Sequence, residues 1–227
     1  MVETYQAFRE RLQTLGFLLF GGGRGEMLEL GDITRPESWH SGQPDVDPWD
    51  WKDRLAASRD GAYVRVLDGR ATLMDREWIP VFWAAFKRDS SLAERYEAGL
   101  ADRMTVRMHA LFEQRPEWAR HELTDALEIG PKQKAAFTRA LVNLQREMAI
   151  VICGQTQRVA TNGMPIGWPS MAYMRTEAWA LPEWKEQAEA LKRDEACERI
   201  RARIRQISPQ CTARTLDKLC GMEADTR

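Results

Sequence analysis

Cysteine is scarce in this chain and histidine scarcer, with four and three among 227 residues. Cys153, Cys197, Cys211 and Cys220 form no CxxC pair and no His/Cys group with zinc spacing, so neither a disulfide framework nor a structural zinc site is expected. They read as reduced thiols of a cytoplasmic protein, and nothing asks for a cofactor. No GxSxG element is present, and Cys153 falls in the apolar run 149–153, where a thiolate is disfavoured. Long apolar runs are also missing. Residues 15–20 are too few to span a bilayer and lack a small-residue cleavage site, so no membrane segment or leader is expected. The glycine-rich stretch 20–25 lacks the Gly-Lys-Ser/Thr ending of a P-loop and the spacing of a dinucleotide fingerprint. It reads as a turn.

Net charge is −1, which argues against bulk electrostatic coating of nucleic acid. The distribution is uneven. Residues 1–100 carry 13 Lys/Arg against 17 Asp/Glu, whereas residues 101–227 carry 20 against 17. Between residues 131 and 163 the only acid is Glu147, set against Lys132, Lys134, Arg139, Arg146 and Arg158.

Periodicity predicts a helix over 4–15 and an irregular, aromatic-anchored loop over 33–52. A hairpin of strands 62–67 and 70–74 should turn on Asp68-Gly69, because that pair readily takes positive φ. A helix over 77–87 carries Pro80 in its first turn, and one long helix is expected over 91–114. Further on, helices over 121–127 and 132–148 precede strands 149–153 and 168–174. One helix over 182–207 and a short one over 212–219 end the chain. The fold class is α+β and mainly helical: an N-terminal subdomain of hairpin and Trp-rich loop (1–90), a winged-helix module (91–180) and C-terminal helices (181–227).

The helix over 132–148 carries the functional argument. Phe137, Leu141, Leu144 and Met148 share one face, and Lys132, Arg139, Asn143 and Arg146 the opposite one. A recognition helix needs that separation, since one face is buried while the other offers cations and amides to phosphates and base edges. A solvated helix face is the plain alternative. The polar excursion 154–164, with Arg158 and an Asn162-Gly163 turn, then completes the order helix, turn, helix, hairpin. Candidate nucleic-acid contacts are Lys132, Lys134, Arg139, Asn143, Arg146 and Arg158, with double-stranded DNA as the partner.

The loop holding Trp39, His40, Asp45, Asp47, Trp49, Asp50 and Trp51 is the second candidate. Base-excising chemistry needs flat walls around a base and a carboxylate or imidazole near the sugar. Trp39, Trp49 and Trp51 are candidate pocket walls, and His40 and Asp47 candidate catalytic groups. Alternatively the tryptophans pin the loop to the core and the aspartates cap turns. A metal held by His40, Asp45 and Asp47 lacks any recognised ligand grammar.

The run ALVNLQREMAIVICGQTQRVATNGMPIGWPS, with DALEIGPKQKAAFTRAL before it and SWHSGQPDVDPWDW upstream, resembles a bacterial family related to the winged-helix DNA glycosylases that unhook interstrand crosslinks, the AlkZ-related group. The likeness to that group covers most of the chain, and to the glycosylases themselves only about 90–175. It implies a winged helix, DNA as partner and a place in DNA repair. Those glycosylases carry Gln-x-Gln in a Leu-Gly-x-x-Gln context. Here Leu15-Gly16-Phe17-Leu18-Leu19 has no glutamine, and Gln155-Thr156-Gln157 stands elsewhere, so the resemblance carries no catalytic glutamine across. A non-enzymatic regulator or assembly module built on a winged helix is the alternative function.

Overall fold

Thr4 accepts a hydrogen bond from the Ala7 N–H, and the Gly16 N–H donates to the Leu12 carbonyl, so α1 (Tyr5–Leu15) is closed at both ends. Its Tyr5, Phe8, Leu12 and Leu15 all turn inward. The computed structural model describes residues 1–221. After β1 (Phe17–Leu19) and α2 (Leu30–Ile33), the stretch expected to remain irregular through residue 52 ends five residues early. Asp47 caps α3 (Pro48–Ser58) and Pro48 opens its first turn, which makes Trp49 and Trp51 helical.

β2 (Gly61–Arg65) and β3 (Ala71–Asp75) form the expected hairpin. Its connection is wider than a two-residue turn. Asp68 and Gly69 do take positive φ, 51° and 71°, but Val66 and Leu67 are buried in the core and leave the ladder to reach it. α4 (Ile79–Phe86) follows. The single helix expected over 91–114 is two, α5 (Leu92–Glu97) and α6 (Arg103–Gln114). Gly99 at φ 73° ends the first, and Asp102 starts the second by accepting from the N–H groups of Met104 and Thr105. Tyr96 and Leu100, expected to be buried, are instead 45% and 72% exposed.

β4 (Glu117–Ala119), α7 (Arg120–Ala126), α8 (Lys134–Arg146), β5 (Ile150–Thr156) and β6 (Ser170–Arg175) then give the order helix, strand, helix, helix, strand, loop, strand when counted from α6. β4, not foreseen, pairs with β6. Phe137, Leu141, Leu144 and Met148 are all buried. The remainder is α9 (Thr176–Trp179), α10 (Pro182–Ala190), α11 (Arg193–Ile207) and α12 (Ala213–Leu219). Extended backbone at Leu191 and Lys192 splits the helix expected over 182–207.

The fold is α+β and mainly helical, around one six-stranded antiparallel sheet in the order β1-β3-β2-β5-β6-β4. Tyr63 of β2 opposite Ile152 of β5 is the seam that joins the early hairpin to the later strands. On one face, Phe8, Leu12, Trp51, Leu55, Phe112, Leu141 and Leu144 form a core beneath α1, α3, α6 and α8. Across the sheet, Phe17, Phe82, Trp83, Trp179, Ile200 and Leu216 form a second beneath α4, α9, α11 and α12. No helix among the described residues is long and apolar enough to cross a membrane.

Candidate functional site

Asp47 shapes the tryptophan loop from within. Its carboxylate, 3% exposed, accepts from the backbone N–H groups of Trp49 at 2.9 Å, His40 at 3.0 Å and Gly42 at 3.3 Å. Burial alone would raise its pKa, but the three backbone donors outweigh that and hold it below the ordinary carboxylate value. These bonds draw residues 40–42 onto the start of α3. His40 consequently takes φ 59° and stands exposed at the rim, its ring 5.0 Å from that of Trp49.

Phe20, next after β1, completes this rim with ring centroids 5.6 Å from Trp39, 5.7 Å from Trp49 and 6.1 Å from Tyr63. It directly follows the Leu15–Leu19 stretch where the resemblance placed a glutamine motif. Trp51, expected beside Trp39 and Trp49, requires a correction. It is wholly buried, stacked 5.3 Å from Phe8, with its indole N–H donating to the Asp45 carbonyl. Two residues along a helix turn the side chain by about 200°, so Trp49 and Trp51 cannot share a face. Asp45 pairs with Arg54 at 3.1 Å, and no group of three or more potential metal-ligating His, Cys, Asp or Glu side chains forms among the described residues.

Beneath the rim lies an ion pair that the sequence reading passed over. Lys52, 2% exposed, donates to the Trp49 carbonyl at 2.8 Å and to Asp53 at 2.6 Å, with its ammonium 4.3 Å above the Trp49 ring. Asp53 also accepts from the Gln155 amide at 2.6 Å. Burial pushes the Asp53 pKa up, and the Lys52 hydrogen bond and charge offset it only in part. The second oxygen, Oδ1, is buried without a partner. Burial likewise pushes the nearby Tyr63 phenol up to about 12. The available signal was the spacing of three between Trp49 and Lys52, which puts both on one face of a helix.

Gln155 reaches this cluster through a β-bulge. Strict alternation from Ile150 and Ile152 would turn Gln155 to the opposite face, but the register shifts between Ile152 and Gly154. Gly154 takes φ 150°, a conformation that favours glycine. The bulge re-aims Gln155 onto α3. Gln157 does not join it, because its amide donates to the carbonyls of Arg158, Ile166 and Gly167 within the β5–β6 loop.

The candidate nucleic-acid residues fall in three places. Lys132, Lys134 and Arg139 are exposed, and none has an ion-pair partner among the described residues. Farther along, α8 leans on the β2–β3 connection. Gln145 accepts from the Arg65 N–H at 3.3 Å, and a Cβ at Gly69 would lie 2.9 Å from Val142. Asn143, half-buried, and Arg146, exposed, therefore open on a separate cleft with Arg88 and Arg193. Arg158 pairs with Asp125 at 2.9 Å and ties the β5–β6 loop to α7. That loop holds itself by hydrogen bonds from Ala160 to Met164 and from Ile166 to Arg158, both 2.8 Å. Its Val159, Met164 and Ile166 are 59%, 62% and 47% exposed, and Trp168 is 93% exposed.

A family model described as AlkZ related matches residues 2–221. Among solved structures, the Streptomyces sahachiroi DNA glycosylase AlkZ aligns at 13% identity and a TM-score of 0.40, over 79% of this chain and 52% of that one. The chain thus spans about half the length of that glycosylase. A comparison with curated proteins finds no match.

Proposed function

Because the chain belongs to the AlkZ-related family, named for a DNA glycosylase, we propose that it is a cytoplasmic DNA-binding protein that acts on an unstacked base. Its α6–β6 segment serves as a winged helix. Duplex DNA lies along Lys132, Lys134 and Arg139, with Arg158 and the β5–β6 loop at the side. One base enters the rim of Phe20, Trp39, His40 and Trp49.

The observation that carries this reading is the aromatic rim above the hydrogen-bonded Lys52, Asp53 and Gln155 set. An extruded base needs flat apolar walls and a few fixed polar groups at its edge. In excision, the glycosidic C–N bond breaks with its electron pair leaving on the base, while water oxygen bonds to C1′. Asp53, whose pKa is raised by burial, accepts the water proton. Asp47 is the positioning residue that holds His40 at the rim.

Two measurements test this. DNA bearing alkylated bases is incubated with the protein and abasic sites are read by alkaline cleavage. Sites formed by the wild type and lost in Asp53→Asn support the chemistry, and equal cleavage by Asp53→Asn removes Asp53 from it. Duplex affinity should fall with rising salt, with a log–log slope near about −3 for three phosphate contacts. The second reading, a non-enzymatic regulator or assembly module, draws on the apolar β5–β6 loop, whose exposed Trp168 and Met164 also suit a protein partner. An affinity indifferent to salt would select it.

A further inference from the structure

The cleft that received Asn143 and Arg146 has a chemistry of its own. It encloses about 360 Å³, walled by Arg88 after α4, Asn143 and Arg146 on α8 and Arg193 at the start of α11. Half-buried Phe86 and Leu100, 72% exposed, contribute apolar surface to its lining. That volume falls in the range of small-molecule sites, on the order of 300–1,000 Å³.

Its charges are unequally committed. Glu147 has both carboxylate oxygens on Arg95. Asp194 sits in the first turn of α11, where a carboxylate offsets the partial positive charge of the helix end. Arg193 is held by the Lys87 carbonyl and lies 3.6 Å from Asp89. Arg88 and Arg146 have no carboxylate partner among the described residues. A second hollow of about 310 Å³ shares Arg88 and Glu147, so Arg88 borders two cavities.

We propose that this cleft binds a phosphorylated nucleoside. Arg88 and Arg146 take the phosphate, since guanidinium forks match phosphate oxygens and keep their charge at any working pH. Half-buried Phe86 and exposed Leu100, both in the lining, offer apolar surface to the base. Asn143 presents a donor and an acceptor, the pattern that a base edge can answer. An inorganic anion would leave the apolar surface wet, and an uncharged nucleoside would leave both guanidiniums unanswered. The nucleotide could be free or belong to a strand, and the chemistry of recognition is the same.

Titration calorimetry on the whole chain tests the site with four probes: dAMP, inorganic phosphate, deoxyadenosine and a short single-stranded oligonucleotide. The expected result is one-to-one binding of dAMP at least tenfold tighter than phosphate or deoxyadenosine, weakened at least tenfold in Arg88→Glu. An unchanged thermal melt of that variant shows that the loss is not unfolding, and Arg88→Lys should recover part of the affinity. No heat with dAMP at millimolar concentration, phosphate binding as tightly as dAMP, or wild-type affinity in Arg88→Glu overturns the proposal. An oligonucleotide that displaces dAMP identifies the ligand as part of a strand, and one that does not identifies it as free; both support the site. Arg88 lies off the exposed half of α8 and off the β5–β6 loop, so this test and the duplex measurements fail independently.

Discussion

The tryptophan loop and the β5–β6 loop are both irregular, aromatic-bearing segments at the margin of one sheet, yet they resolve their side chains in opposite ways. Around Asp47 the chain folds inward. A buried carboxylate gathers three backbone N–H groups, a buried ammonium sits on Trp49, and Trp51 enters the core. Around Trp168 the chain turns outward, and backbone hydrogen bonds within the loop leave the apolar side chains in water. Buried polar groups specify one geometry because each unsatisfied partner is costly, whereas exposed apolar groups at a loop tip cost little to the fold. The first region holds one shape, and the second leaves its apolar side chains exposed.

Removing the acceptor that organises the inner region should have the largest effect. Asp47→Ala strips a helix cap and the shared acceptor of three part-buried N–H groups, and urea denaturation should show a loss of about 2.5 kcal/mol. The pH dependence has a definite sign. The folded pKa of Asp47 lies below its ordinary value of 3.8, so its contribution is fully present above that value and is lost as pH falls through the folded pKa. The acid limb of the stability curve should flatten in Asp47→Ala. A slope unchanged from wild type would show that the loop is not held by this charge.

Lys52→Met tests the pair beneath the rim, with an expected cost of about 2 kcal/mol because Asp53 loses its counter-charge; its 17% side-chain exposure keeps the figure below that of a sealed pair. A stable Lys52→Met protein would dissolve the distinction between the two regions. On the outer side, Lys132→Gln combined with Arg139→Gln should lower duplex affinity about tenfold at moderate salt and reduce the salt slope by about two. Smallest of all, Trp168→Ala should change unfolding free energy by less than about 0.5 kcal/mol, since the indole packs on little. A larger loss would mean that this side chain supports the fold.

The sequence told most where the signal was local. The buried stripe of α8, the span of α1, the hairpin at Asp68-Gly69 and the relation to the AlkZ-related family were all legible along the chain. Helix breaks at residues 98–102 and 191–192 were not, because a continuous apolar spacing does not reveal where glycine or an extended residue ends a helix. In the candidate site, His40, Trp39 and Trp49 could be named from residue type alone. Asp47 could be named too, but its part as their organiser, the ion pair beneath them and the glutamine beside it could not.

What the chain determined by itself is therefore its set of elements, its two concentrations of aromatic and basic residues, and its family. Tertiary structure decided which of those residues meet. Pairing Tyr63 with Ile152 set the early hairpin against α8, dividing its basic face into an exposed half and a cleft. A single bulge at Gly154 brought Gln155 to Asp53 across 102 positions of sequence. Register between distant strands depends on how two faces of a sheet are covered at once, and no window of neighbouring residues contains that information.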